Sequence, residues 1–201
     1  MNRRHTLQKM ARGLTAPWLL TNTAVLGLAA TATGCAGPQV ADYRNQKPVL
    51  DLRTYFDGMV DAWGLFTDRS GAVVKRFTVQ MNCKWQGDEG VLDEAFVYAD
   101  GTQQRRIWRL KALPHGRYEG RADDVVGVAQ GETQGNAFRW QYTLALPVDG
   151  TVWNVQFDDW MYLMDDRVML NKAVMSKLGV RLGEVTLSFT RRTPVANQGQ
   201  S

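Results

Sequence analysis

Cysteine and histidine are scarce in this sequence, and their scarcity argues against several kinds of site. The 201 residues contain two cysteines, Cys35 and Cys83, and two histidines, His5 and His115. A zinc site of the usual composition takes several Cys, His or acidic ligands, and no Cys-x-x-Cys, His-x-x-x-His or EF-hand spacing occurs. We therefore expect no metal site and no cofactor.

The same scarcity argues against nucleophilic catalysis. Beyond the N-terminal segment the single histidine is His115, in the turn-like stretch "LPHGR". A Ser-His-Asp arrangement would have to combine it with a serine such as Ser70 or Ser176, and no Gly-x-Ser-x-Gly motif is present. Cys83 would need a neighbouring base to react, and we expect it to be a small buried hydrophobic residue.

Surplus positive charge is also missing from most of the chain. The net charge of +4 comes entirely from residues 1–34, which contain four basic residues and no acid; the remainder holds 20 Lys and Arg against 20 Asp and Glu. Binding to nucleic-acid phosphates requires a surplus of Lys and Arg. We therefore expect no nucleic-acid partner.

The N-terminal segment has the order of a bacterial secretory signal. The basic stretch "MNRRHTLQKMARG" is followed by the apolar stretch "LTAPWLLTNTAVLGLAATATG", which ends directly before Cys35. This ending resembles the lipobox of bacterial lipoproteins, in which the cysteine is acylated and becomes the new N-terminus. An uncleaved membrane anchor and ordinary signal cleavage are the alternatives.

A lipidated Cys35 would fix the chain to a membrane, because several acyl chains make such an attachment effectively permanent. Ala36, in place of an aspartate, favours the outer membrane, with the protein facing the periplasm. The domain organisation we expect is a signal peptide at 1–34, a lipidated tether at 35–48, a β-barrel domain at 49–192 and a disordered tail at 193–201.

Alternating apolar and polar residues predict strands in most of the domain. In "NAFRWQYTLAL", Phe138, Trp140 and Tyr142 share one face of a strand, and "VVKRFTVQMNCKWQ" alternates in the same way. Turn signals such as Asp100-Gly101 recur between these runs. Asp51 is placed to cap a short helical turn, and no long amphipathic helix follows residue 57.

We expect an all-β fold, an antiparallel up-and-down, lipocalin-like barrel of about 8–10 strands with a short N-terminal helical turn. Closure removes the two exposed edges that a flat sheet would leave. A β-sandwich is the alternative, but its Greek-key connections usually need longer crossings than the short turns seen here.

Four long stretches resemble a known family. They are "YFDGMVDAWGLFTDRSG", "DEAFVYADGT", "GRYEGRADDVVGVAQGETQGNAFRWQYTL" and "FDDWMYLMDDRVMLNKAVMSKLGVRLGEVTLSF". Together they resemble the bacterial lipoprotein family called domain of unknown function 3833, over nearly all of residues 48–191. The resemblance implies a calycin-like barrel in an envelope lipoprotein and supplies no catalytic residues. Members tend to be encoded near enzymes that modify fatty acids, which implies a lipid ligand.

The stretch "WNVQFDDWMYLMDD" at 153–166 sets four carboxylates among four aromatic rings and two methionines. Adjacent residues of a strand point to opposite faces, so Asp158 and Asp159 cannot form a carboxylate dyad. Asp165 and Asp166 fall at a hairpin turn, where aspartate is common for backbone reasons.

We assign the face with Asp158 to the barrel interior, because an interior can mix aromatic rings with a few polar anchors. An inward aspartate could pair with an inward arginine, either as a structural salt bridge or as an anchor for a ligand head group. The residues we expect to contact a ligand are Gln156, Asp158, Trp160, Tyr162, Arg106, Arg139, Trp140 and Tyr142.

Three functions remain open on the sequence. The first is binding of an acyl lipid or another apolar ligand inside the barrel, and it would require a cavity near ~300 Å³. The second is a structural envelope protein with an unidentified protein partner. The third is an enzyme that uses Asp158 or Glu132 as a general base on a lipid-like substrate, helped by Tyr142 or Tyr162.

Overall fold

The computed structural model describes residues 37–148 and 150–193. The predicted signal peptide, Cys35 and residues 194–201 lie outside the described residues. Within the described part, no helix has both the length and the apolar character needed to cross a membrane.

Ten antiparallel strands form a closed barrel in which every strand pairs with its neighbours in sequence, and β1 pairs with β10. A four-residue helix, α1, spans Leu52–Tyr55, and 3-10 turns span Val40–Tyr43 and Pro114–Gly116. The strands are β1 Gly58–Asp68, β2 Val73–Gln86, β3 Glu89–Tyr98, β4 Gln103–Leu113, β5 Arg117–Arg121, β6 Ala129–Gln134, β7 Ala137–Val148, β8 Thr151–Leu163, β9 Val168–Lys177 and β10 Val180–Arg191. The predicted all-β, up-and-down, lipocalin-like barrel is confirmed.

Alternation along the strands separates the core from the outer surface. In β2, Val79, Met81 and Cys83 are buried while the residues between them are exposed. Cys83 has no exposed surface, and burial raises the pKa of its thiol to about 12. The expectation that Cys83 is a buried hydrophobic residue is confirmed. At such a pKa almost no nucleophilic thiolate forms near neutral pH.

Helix α1 fills one end of the barrel, which we call the closed end. Its N-cap is Asp51, whose side chain accepts a hydrogen bond from the Arg53 backbone N–H at 2.9 Å. The predicted cap is therefore present. The helix carries Leu52 and Tyr55 into the core, and Phe56 follows them, each at most 3% exposed. The turn at 114–116 lies at this end too.

The opposite end, which we call the mouth, carries the turns at 69–72, 99–102 and 178–179. Strands β5 and β6 are too short to reach the mouth. Residues 122–128 therefore complete the part of the wall near the mouth between β4 and β7. This segment pairs with β7 through a bridge between Val125 and Leu144. It is held to β4 by the ion pair between Arg106 and Asp124.

Residues 40–48 do not follow the tether prediction, because they lie against the barrel wall. Val40 is 7% exposed, and the Leu50 backbone N–H donates to the Gly135 carbonyl at 2.8 Å. Gly135 has a φ of 55°, and a Cβ there would come within 1.8 Å of the Tyr43 carbonyl oxygen. Glycine at this turn therefore lets the N-terminal segment approach the wall closely.

Candidate ligand-binding cavity

A cavity of about 310 Å³ occupies the barrel interior between α1 and the mouth. Leu52 and Phe56 form its floor, and the inward side chains of the strands form its wall. The exposed residues Lys75 and Gln104 also line it, so the cavity reaches solvent at the mouth. The volume lies at the lower limit of small-ligand sites, which run from ~300 to 1,000 Å³.

Aromatic rings from β4, β7 and β8 form one side of the cavity. The ring centroid of Trp108 lies 5.6 Å from that of Trp140 and 5.3 Å from that of Tyr142, both in edge-to-face geometry. The Tyr142 ring stacks on Phe157 with a centroid distance of 5.0 Å. Edge-to-face and stacked contacts stabilise such a cluster beyond simple burial.

Two carboxyl groups face the cavity from opposite walls, and the first is Asp159 on β8. It is 7% exposed, and its Oδ2 accepts a hydrogen bond from the Tyr142 hydroxyl at 3.2 Å. Burial raises the pKa of Asp159 to about 7, although the Tyr142 hydrogen bond lowers it. Burial, together with the Asp159 charge, raises the pKa of Tyr142 well above its ordinary value. Tyr142 therefore stays a neutral hydrogen-bond donor.

The second carboxyl group is Glu94 on β3, which lies directly across from Arg106 on β4. Burial raises the pKa of Glu94 to about 7, against the opposing influence of the Arg106 charge. The guanidinium is already engaged by Asp124, with Nε to Oδ1 at 3.1 Å, Nε to Oδ2 at 3.0 Å and Nη2 to Oδ2 at 2.6 Å. Burial lowers the pKa of Arg106, but Asp124 and Glu94 raise it by more.

Asn171 on β9 is a third polar group on the cavity wall. It is 2% exposed, and neither its Oδ1 nor its Nδ2 has a hydrogen-bond partner among the described residues. Its cross-strand neighbour on β8 is Met161. Met161 is the next inward-facing residue after Asp159 along β8. Buried amides are usually hydrogen-bonded, so Asn171 is a polar group available to a ligand.

Protonation of Asp159 makes stability depend on pH. Its pKa is about 7 in the folded protein against an ordinary 3.8, so between these values the folded state holds a proton that the unfolded chain has released. The contribution of Asp159 to stability is therefore largest below about pH 4 and falls as the pH rises to about 7. We expect Asp159→Asn to gain about 2–3 kcal/mol relative to the native protein between pH 5 and pH 8, measured by urea unfolding.

Asp61→Asn provides the control for this comparison. The hydrogen bonds from Arg192 lower the pKa of Asp61, so its contribution is lost only as the pH falls below about 4. Its effect on stability should be the same at pH 5 and pH 8. An Asp159→Asn effect that is equally independent of pH would show that the native carboxyl group is ionised throughout this range.

Comparison with known proteins adds a family and a fold. The sequence matches the family described as "Protein of unknown function (DUF3833)" over residues 29–191. The chain belongs to this family. No curated protein matches the chain.

Among solved structures, S-type phycobiliprotein lyase CPES from Guillardia theta is similar to this DUF3833 protein with a TM-score of 0.53 and 6% sequence identity, over 78% of this chain and 99% of that one. Apocrustacyanin C1 gives a TM-score of 0.38 at 12% identity, over 82% and 75% of the two chains. The first comparison shows a shared fold. The TM-score of the second is too low to show one.

The structure brings three of the eight predicted ligand residues to the interior. Trp140 and Tyr142 line the cavity from β7, and Arg106 lines it from β4. Arg106 lies in the interior and forms an ion pair with Asp124. Whether any of the three contacts a ligand stays a prediction.

The other five predicted residues lie on the outer face, so their assignment to the interior is wrong. Along β8, the buried positions are Val155, Phe157, Asp159, Met161 and Leu163, and the residues between them point outward. The outward residues are Gln156, Asp158, Trp160 and Tyr162 on β8 and Arg139 on β7. Asp158 and Asp159 do point to opposite faces, as predicted.

Trp160 and Tyr162 can point outward because the N-terminal segment covers them. The Tyr43 ring lies 5.9 Å from Trp160 and 5.2 Å from Tyr162, and the two tyrosine hydroxyls are 3.2 Å apart. Beside them, Arg139 forms a two-pronged ion pair with Asp158, with N–O distances of 2.7 and 2.8 Å. The contacts of Tyr43 with Trp160 and Tyr162 hold this part of the N-terminal segment on the wall.

Removing the Tyr43 ring should release this segment. We expect trypsin to cut Tyr43→Ala after Arg44 about tenfold faster or more, because two aromatic contacts, each contributing ~0.5–1.5 kcal/mol, are lost. The urea midpoint of the barrel should change little. Asn45→Ala, an exposed neighbour, is the control and should be cut at the native rate. Equal cleavage of both variants would show that the aromatic contacts do not hold the segment.

The sequence interpretation missed Glu94, Asp159 and Asn171 as cavity residues. Each occupies an inward position of an alternating strand, and that alternation was the available signal. The predicted general bases Asp158 and Glu132 lie on outward positions, since Glu132 is paired with Arg139 on the neighbouring strand. Within the described residues, no group of three or more His, Cys, Asp and Glu side chains could hold a metal ion.

Proposed function

We propose that this DUF3833 protein binds a small, mainly apolar ligand, such as an acyl chain, inside its barrel. The observation that carries the proposal is the cavity of about 310 Å³ with its aromatic and aliphatic lining. A barrel whose side chains filled the interior would leave no such space. Burial of an acyl chain against this lining contributes about 0.8 kcal/mol for each methylene group.

The mouth offers an apolar route into the cavity. Val73 and Val180, which flank turns at the mouth, are 54% and 53% exposed, and Leu178 within a mouth turn is 89% exposed. Phe66 and Leu146 line the cavity near the same end. An apolar ligand that arrives at the mouth can therefore keep contact with apolar side chains as it enters.

We propose further that the protein is an outer-membrane lipoprotein that faces the periplasm, anchored through Cys35. This part rests on the order of the leader, the small residues before Cys35, and a family match that spans this cysteine. Cys35→Ser should move the protein from the membrane fraction to the soluble fraction of its cells. Retention of the variant in the membrane fraction would overturn the anchor.

Quenching of tryptophan fluorescence tests the binding proposal, with 12-bromododecan-1-ol as the probe. Bromine quenches tryptophan at contact range, and Trp108 and Trp140 both line the cavity. We expect saturable quenching that is reduced in Trp108→Phe and in Trp140→Phe. The control is Trp63→Phe, because Trp63 is 54% exposed on the outer face, and this variant should keep the saturable signal. Quenching that does not saturate would contradict ligand binding in the cavity.

A further inference from the structure

Buried polar atoms without a hydrogen-bond partner lie on the cavity wall. Within the described residues, Oδ1 of Asp159 and both polar side-chain atoms of Asn171 have no partner. Glu94 forms no ion pair in the same part of the chain, since Arg106 is paired with Asp124. An unpaired buried polar atom costs roughly 1–3 kcal/mol. These atoms therefore point to a ligand group that supplies several donors.

The two positive charges of the cavity lining, Arg106 and Lys75, form no hydrogen bond to Glu94 or Asp159 among the described residues. The Arg106 guanidinium directs three hydrogen bonds to Asp124, and Lys75 sits at the exposed mouth. Arg106 is thus the cation beside Glu94, but among the described residues neither Glu94 nor Asp159 forms an ion pair with it. Both carboxyl groups line the same cavity, and the Glu94 charge adds to burial, the largest cause, in raising the pKa of Asp159.

The aromatic wall beside these carboxyl groups suits a cation as well. Trp108, Trp140 and Tyr142 meet at centroid distances of 5.3–5.6 Å, and Tyr142 donates its hydroxyl hydrogen to Asp159. A cation near the face of a tryptophan or tyrosine ring is stabilised by the ring quadrupole, by about 2 kcal/mol where water is excluded. Carboxylates and ring faces together favour an ammonium group over a carboxylate head group.

We propose that the cavity takes an amphipathic amine, with its apolar body against the aromatic and aliphatic lining and its protonated amino group between the carboxyl groups of Asp159 and Glu94. Asn171 is the third polar contact, since it lies one inward position from Asp159 across the β8–β9 pair. The inference rests on the proposed ligand-binding function and specifies the ligand class.

Competition against 12-bromododecan-1-ol tests the inference with the full chain at pH 8. The competitors are dodecylamine, 1-dodecanol and dodecanoate, which share the same twelve-carbon chain and differ in the head group. We expect dodecylamine to restore tryptophan fluorescence at a concentration at least about tenfold lower than the other two. The double variant Glu94→Gln with Asp159→Asn should lose this advantage, and a cooperative urea unfolding transition shows that the variant is folded.

Different failures identify different errors. If dodecanoate displaces the probe best, or if the double variant still prefers the amine, the amine inference is wrong and the binding function stands. If the probe binds but the three competitors are equivalent, the cavity does not select the head group and the inference is wrong again. If neither the probe nor any competitor binds, the proposed function falls and the inference falls with it.

A change of pH provides a second readout. Arg106, Tyr142 and Asn171 line the cavity with Asp159 and Glu94, and the charges of Asp93, Asp124 and Asp158 also act on one or the other carboxyl group; both carboxyl groups have a pKa of about 7. Lowering the pH from 8 to 5.5 protonates the two carboxyl groups but leaves an alkylamine charged, as its pKa is close to that of lysine. The advantage of dodecylamine over 1-dodecanol should therefore shrink severalfold, and an advantage that stays constant would overturn the assignment of these two residues.

Discussion

Replacement of Ala173 by phenylalanine is expected to abolish ligand binding and leave the barrel folded. Ala173 is 2% exposed, lies on β9 directly opposite Asp159 and lines the cavity. A phenyl ring at this position projects into the space that a ligand would occupy. We expect affinity for 12-bromododecan-1-ol to fall by about a hundredfold or more, equivalent to ~2.7 kcal/mol. The cost to stability should be about 1–3 kcal/mol.

Lys172→Phe is the matched control for this variant. It changes the preceding residue of the same strand, whose side chain is 62% exposed and points outward. Lys172 is the exposed partner of its ion pair with Glu184, which also pairs with Arg181, so loss of the Lys172 contact should cost about 0–1 kcal/mol. The control should bind the probe like the native protein. Native affinity in Ala173→Phe would show that the ligand does not occupy this part of the barrel.

Arg106→Ala is expected to be the most destabilising change at a charged residue. The Arg106 side chain is 13% exposed, and its partner Asp124 is 26% exposed. Removal of the Arg106 side chain leaves Asp124 and Glu94 without the cation beside them. This loss should lower the free energy of unfolding by about 3 kcal/mol, at the lower end of the range for a buried pair. It also releases residues 122–128, which complete the wall beside the mouth. Urea unfolding measures the loss of stability, and hydrogen exchange in residues 122–128 measures the release.

Arg105→Ala separates this effect from general loss of charge. Arg105 is the preceding residue of β4, is 66% exposed and pairs with Asp93 on the outer surface. Exposed pairs contribute about 0–1 kcal/mol, so this variant should unfold close to the native midpoint. If the two variants lose the same stability, the Arg106 pair is no more than a surface ion pair.

The barrel could be predicted from the sequence because its signals are local. Alternation placed Phe77 and Met81 on one face of β2, and Trp140 and Tyr142 on one face of β7. Short turns between the runs implied that successive strands pair. Local alternation does not show which of two aromatic faces of β8 points inward. That choice depends on Tyr43, which is distant in sequence and covers the outer face.

The polar interior was harder to predict for the same reason. The neighbours of Asp159 on its face of β8 are apolar. The opposite face mixes polar and aromatic residues, and for that reason it was predicted to line the interior. The pairing of Arg106 with Asp124 depends on a loop that closes the wall between distant strands. Glu94 and Asn171 lie on strands whose neighbours around the barrel are set by closure. Their common cavity was therefore not visible in local patterns.

Native mass spectrometry of the full chain, purified from its own cells, tests directly whether the barrel holds a ligand. We expect a bound species that is lost on extraction with organic solvent and identified in the extract as a molecule with a long apolar part. The same preparation of Ala173→Phe should be empty. A native protein that is folded, carries no bound species and takes up no 12-bromododecan-1-ol would contradict the claim that this barrel binds a ligand.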